Sequence, residues 1–211
     1  MRKRIGALLL VGVMAFTSFG LMESANAKTI TKADKFVKQA EKYLGKTYKA
    51  VWLKGKHPTC NWCNTIPQLA SKNGKLGKYV WYGIGRGYAY NNKTLLENTV
   101  KKCGAEVNFI YKNKYSSWKK DVNSKRCHYD PNYDPQRGDL VFFTSSKGSK
   151  KITHVGIVTK DSNSAFKVYT IEGNMKSGSY KTKKTMKLYR ESGSKHYYTS
   201  KYILCYVHPD W

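Results

Sequence analysis

Acidic residues are few in this chain, 13 against 39 Lys and Arg. Arginine is scarce too, and beyond residue 27 only Arg86, Arg126, Arg137 and Arg190 accompany the lysines. Bidentate reading of bases and phosphates favours the guanidinium group. A Lys-dominated excess therefore speaks for diffuse attraction to polyanions and against sequence-specific nucleic-acid recognition. No second long apolar run follows the one near the start, which is itself short for a stable span, so no transmembrane anchor is expected. Repeats, low-complexity blocks and Pro/Ser-rich linkers are also absent. Setting aside 27 of the 211 residues leaves a stretch, 28–211, suited to one domain with a real core.

The 27 residues set aside have an order of their own. "MRKR", the run "IGALLLVGVMAF" and the small-residue end "ANA" follow the three-part pattern of a cleaved export signal. Residues 1–27 are expected to be that signal, Lys28 the mature start and the location extracellular. No cysteine follows the cleavage point, so a lipoprotein signal is excluded. Without Arg2, Lys3, Arg4 and Glu23 the mature chain has 36 basic against 12 acidic residues, a net charge of +24. Such a field draws a protein to anionic wall polymers or acidic membranes. Lys as an ordinary solvating residue is the alternative.

Five cysteines in an exported chain leave one outside any pairing. That thiol is either buried and inert or retained for its reactivity. In "HPTCNWCNTIPQLASKNG", residues 57–74, a helix is predicted from Cys63 or just after it to Asn73-Gly74, because Pro67 costs little only in a first turn. Cys63 then sits at a helix N-terminus, where unpaired N–H groups favour a thiolate. Cys60 and Cys63 together have the C-x-x-C layout of a thiol-disulfide oxidoreductase, but the βαβ setting of that class is missing. A zinc site from His57, Cys60, Cys63 and Cys127 or His128 has suitable ligand types, without the spacing of a paired C-x-x-C. Cys60, Cys103, Cys127 and Cys205 allow three two-bridge connectivities.

A first amphipathic helix is predicted in "TKADKFVKQAEKYLG", with Thr31 as its cap and Gly45 as its end. A further helix is predicted in "TLLENTVKKCG", with a capping box of Thr94 and Glu97, Cys103 on the buried face and Gly104 as the stop. The aromatic stretch between them, "KYVWYGIGRGYAY", suits core packing better than a stacking surface. Its "GIGRG" lacks the spacing of a phosphate loop. From residue 138 the pattern changes to "DLVFFTS", "ITHVGIVT", "FKVYTIEG", "TMKLYR" and "YILCYV", five predicted strands. The fold class is α+β, with N-terminal helices packed on a C-terminal antiparallel sheet.

Two polar residues interrupt those strands. His154 lies inside an apolar run and needs a partner there. Glu172 ends the next strand, and the six-residue link "KDSNSA" makes the two strands neighbours in a hairpin. A carboxylate beside an imidazole accepts its Nδ1–H and stabilises the imidazolium. Asn174, two residues on, can supply a further amide contact.

"WCNTIPQLAS", "PQRGDLVFF", "HVGIV" and "TIEGN", in that order, resemble the CHAP domains, the cysteine, histidine-dependent amidohydrolases and peptidases of bacterial cell walls. The NlpC-type endopeptidases are a poorer match, because their nucleophile usually follows Asp and their third residue is usually His. The resemblance implies a papain-like α+β fold, Cys63 as nucleophile, His154 as base, and Glu172 with Asn174 as orienting residues. It implies hydrolysis of peptidoglycan amides, as an amidase or as an endopeptidase; the residues themselves call for no metal or organic cofactor, and a monomer is expected. A non-catalytic, cationic wall-binding protein would account for the charge and the export signal but not for these residues.

Overall fold

The computed structural model describes residues 29–47, 62–83, 91–122, 124–144, 149, 151–162, 167–175, 181–188 and 202–211. The expected export signal, His57, Cys60 and residues 84–90 of the aromatic stretch lie outside them.

The first predicted helix is α1, Lys32–Glu41. Thr31 Oγ1 accepts the Asp34 N–H at 3.0 Å, and the Asp34 carboxylate accepts the Thr31 N–H at 3.2 Å, a complete capping box. The helix proper stops at Glu41 and turns carry the chain to Gly45, while Phe36, Val37 and Ala40 bury its apolar face. Helix α2, Thr65–Gly74, has the predicted limits and holds Pro67 in its first turn, where no hydrogen bond is lost.

Helix α3, Asn92–Cys103, begins three residues earlier than the predicted Thr94 cap implies. Asn91 takes the capping role, because its Oδ1 accepts the Thr94 N–H at 2.8 Å and the Thr94 hydroxyl at 3.0 Å. Gly104 ends the helix as expected. Cys103 is half-buried rather than buried, and its Sγ donates to the Gly77 carbonyl. Burial pushes that thiol up to about 11, a setting for an inert cysteine.

A seven-stranded sheet follows. Its strands are β1 Glu106–Phe109, β2 Cys127–Tyr129, β3 Leu140–Thr144, β4 Ile152–Val158, β5 Lys167–Met175, β6 Lys181–Leu188 and β7 Tyr202–His208, in the order β2-β1-β7-β3-β4-β5-β6. The five predicted strands are β3 to β7. Strands β3 to β6 form antiparallel hairpins in chain order, but β7 crosses back to pair with β1 and β3. Strands β1 and β2, with helix α4 (Lys112–Trp118) between them, pair in parallel, so the sheet is mixed.

Central β3 is buried on both faces. Leu140 and Phe142 join the cluster with Phe36, Leu69 and Leu95 from the helices, while Val141 and Phe143 join Ile203 and Tyr206. Each such side chain contributes on the order of 2 kcal/mol by leaving water. The "PQRGDLVFF" stretch that leads into β3 ties the layers together. The Arg137 guanidinium donates to Asp34 of α1 at 2.7 Å. Buried Asp139 accepts from the Tyr133 hydroxyl at 2.8 Å and the Gln136 N–H at 2.8 Å, and meets His208 Nδ1 at 2.7 Å.

The four described cysteines, Cys63, Cys103, Cys127 and Cys205, are all thiols. Cys127 on β2 and Cys205 on β7 flank β1 on opposite sides. Two strand spacings, roughly 9.6 Å, separate those backbones, beyond the ~7 Å limit for a disulfide.

Candidate active site

Cys63 stands two residues before the first residue of α2, in a turn closed by the Thr65 N–H and the Trp62 carbonyl at 3.0 Å. The helix is seated by a gap in β5. A Cβ on Gly173 would come within 2.8 Å of Ile66 Cγ1 and 3.0 Å of the Trp62 ring. Only a glycine lets the start of α2 pack this closely on the strand, and that packing brings Cys63 to β4.

Cys63 is fully buried and has three partners: the His154 ring, the Asn92 side-chain amide at 3.5 Å and the Val155 N–H. His154 is 3% exposed and its Nε2 meets Glu172 Oε2 at 2.7 Å. The other carboxylate oxygen, Oε1, accepts the Thr170 hydroxyl at 2.6 Å. The predicted hairpin is therefore present, but the carboxylate takes Nε2 rather than the expected Nδ1. The Cys63 sulfur, accepting from the Val155 N–H, is held against the β4 backbone beside the same ring.

The register explains how Glu172 reaches the ring. Glu172 lies opposite Gly156, with His154 two residues along on the same face of the sheet. A Cβ at Gly156 would stand 2.8 Å from Glu172 Cγ. The missing methyl is the space through which the carboxylate leans diagonally onto His154. The ring also lies 5.8 Å from the Phe143 ring, so the site sits where the helix-side cluster, which includes Cys63, meets the second cluster.

Asn174 is half-buried at the irregularity between Glu172 and Met175, with φ 59. Asn tolerates the left-handed region better than most residues. Asn92, the first residue of α3 and 7% exposed, is the neighbour of Cys63 that sequence reasoning misses. Its signal was the pair Asn91-Asn92, in which the first caps the helix and the second turns inward.

Burial by itself would raise the Cys63 thiol. The hydrogen bond and charge of His154, then Asn92 and the Val155 N–H, outweigh it and hold the thiol below its ordinary value. For His154 burial acts downward, but the hydrogen bonds and charges of Cys63 and Glu172 hold the imidazole above its ordinary value. Both shifts favour moving the proton from the sulfur to the imidazole. Such a thiolate–imidazolium pair, with a carboxylate holding the ring, is equipped for attack on an acyl carbon. The rate should rise as pH climbs through the lowered thiol value and fall as it climbs through the raised imidazole value. A bell with its acid limb below about 8.5 and its alkaline limb above about 6.5 is expected in kcat/KM. A single limb at the free-thiol value would contradict the pair.

The zinc alternative loses its geometry. Cys63 lies beside β4 whereas Cys127 and His128 lie on β2, four strand positions away, roughly 19 Å. Among the described residues no group of three or more His, Cys, Asp or Glu could hold a metal ion. No helix among them is long and apolar enough to cross a membrane.

A comparison with curated proteins found no match. The family model of the CHAP domain matches residues 35–174, 140 of the 211, from α1 to the end of the β5 segment that carries Glu172 and Asn174. The chain belongs to the CHAP domain family, whose general activity is peptidoglycan hydrolysis as amidase or peptidase.

Proposed function

We propose that the chain is an exported cysteine hydrolase that cleaves amide bonds of bacterial peptidoglycan. It acts either as an N-acetylmuramoyl-L-alanine amidase or as an endopeptidase of stem or cross-bridge peptides. Residues 1–27 serve as its signal and 28–211 as a single domain that works as a monomer at the wall. The observation that carries this reading is the buried sequence of contacts Cys63–His154–Glu172, with 2.7 Å between imidazole and carboxylate, in a chain of this family.

The Cys63 thiolate attacks the amide carbon, a C–S bond forms and the carbonyl electron pair moves onto oxygen. N–H groups at the start of α2 hold that oxyanion. His154 gives its proton to the leaving nitrogen as the C–N bond breaks. Water, losing a proton to His154, then attacks the thioester carbon, and Cys63 departs as thiolate. Glu172 keeps the ring oriented and stabilises its charged form, and Asn174 is the second orienting residue.

Mass spectrometry of digests of purified peptidoglycan tests the reading. An amidase exposes the amino group of the first alanine and the lactyl carboxylate of muramic acid, whereas an endopeptidase shortens peptides and leaves that junction intact. Digests without any new amine and carboxylate ends would sink it. The net charge of +24 past residue 27 supports retention on anionic wall polymers, so binding to whole walls should weaken steeply with salt. Equal binding to walls stripped of those polymers would remove that part.

A further inference from the structure

Asn92 has no part in the reaction steps above, yet it touches the candidate nucleophile. Its carboxamide presents both polar atoms to Cys63 Sγ, with Oδ1 and Nδ2 each at 3.5 Å. The side chain is 7% exposed and cannot readily exchange this contact for water. Helix capping does not account for it, because Asn91 takes the Thr94 N–H and hydroxyl and leaves Asn92 as the first helical residue. The inward turn of Asn92 thus serves the sulfur rather than the helix.

We propose that Asn92 is a further catalytic residue of this site, its amide accepting from the Cys63 thiol in the resting form and donating Nδ2–H to the sulfur once the proton has moved to His154. An amide that offers both atoms at equal distance matches both charge states of the sulfur without moving. A hydrogen bond to a charged sulfur is worth more than one to a neutral thiol, so the thiolate is favoured. The proposal rests on the reading of Cys63 as nucleophile. It adds a third fixed donor, beside His154 and the Val155 N–H, around a fully buried sulfur that would otherwise lose more by ionising.

The test separates Asn92 from wall hydrolysis by measuring iodoacetamide labelling of Cys63 against pH in the full chain, with kcat and KM measured in parallel. Asn92→Ala removes both contacts. Its labelling midpoint should rise by about one pH unit, the size of one hydrogen bond to a charged group. Asn92→Asp fills the same space and keeps an acceptor but sets a negative charge against the thiolate, so its midpoint should rise further. In both, kcat should fall about tenfold or more with KM nearly unchanged. Because the Asp variant is isosteric, it keeps the test open if the Ala variant does not fold. Midpoints and kcat at the wild-type values in a folded variant would overturn the proposal. A wild-type protein that leaves the wall uncut, while its labelling midpoint still shifts in the order Ala then Asp, would remove the peptidoglycan reading and keep the role of Asn92 at the thiol.

Discussion

Cys63→Ser is expected to abolish wall hydrolysis, with kcat falling about 10⁴-fold or more, because a serine hydroxyl beside this imidazole is a far weaker nucleophile than a thiolate. Ser is smaller than Cys, and the site is fully buried, so some loss of packing accompanies the change. A melting temperature within a few degrees of wild type separates chemistry from folding. At neutral pH the iodoacetamide label on position 63 should be lost in this variant, while Cys103, pushed up to about 11, and Cys205, pushed well above its ordinary value by burial, stay unlabelled. Cys60→Ser is the contrast: it should keep hydrolysis and at worst lose stability. In a C-x-x-C oxidoreductase the first cysteine attacks and the second resolves, so the order of damage would reverse. Label found on Cys60, with hydrolysis unchanged in Cys63→Ser, would sink the mechanism.

The parts of the site legible in the sequence are those where a polar residue breaks an apolar pattern. His154 and Glu172 stand out because β4 and β5 are otherwise buried, and a six-residue link makes them neighbours whatever the rest of the sheet does. Cys63 stands out because Pro67 limits where α2 can start. Each inference is local, and each strand or helix involved is long enough for its periodicity to be read. Strands β1 and β2 are only four and three residues long, too short for alternation to register. The placement of β7 between β1 and β3 depends on a crossover that no local pattern encodes. At α3, Thr94 and Glu97 suggest a capping box, while Asn91 competes for the same N–H and wins it. That three-residue shift is also why Asn92 does not stand out in the sequence as a site residue. That Nε2 rather than Nδ1 meets Glu172 depends on how the ring is set in three dimensions, which no local pattern encodes.

The diagonal approach of Glu172 to His154 should make Gly156 as sensitive as a catalytic position. In Gly156→Ala the new methyl meets Glu172 Cγ at 2.8 Å. Glu172 has no slack with which to yield, since it is fully buried, with one oxygen held by His154 and the other by Thr170. The carboxylate must leave the ring, and a misplacement of about 1 Å can cost on the order of 100-fold in rate. Glu172→Gln should lose more, roughly 10²- to 10⁴-fold, because the amide neither balances the imidazolium nor enforces one tautomer. His154→Ala should lose nearly all activity. The decisive comparison is a cycle with Glu172→Ala, which removes the Cγ that the methyl would strike. Gly156→Ala should cost about 100-fold beside Glu172 and less than about threefold in the Glu172→Ala background, because groups that act as a unit are not additive. Equal losses in the two backgrounds would mean that the methyl distorts the β4–β5 pairing itself. A fully active Glu172→Ala protein would reduce the carboxylate to an ordinary buried partner of Thr170. The first result would detach Gly156 from the site, and the second would remove the orienting role assigned to Glu172.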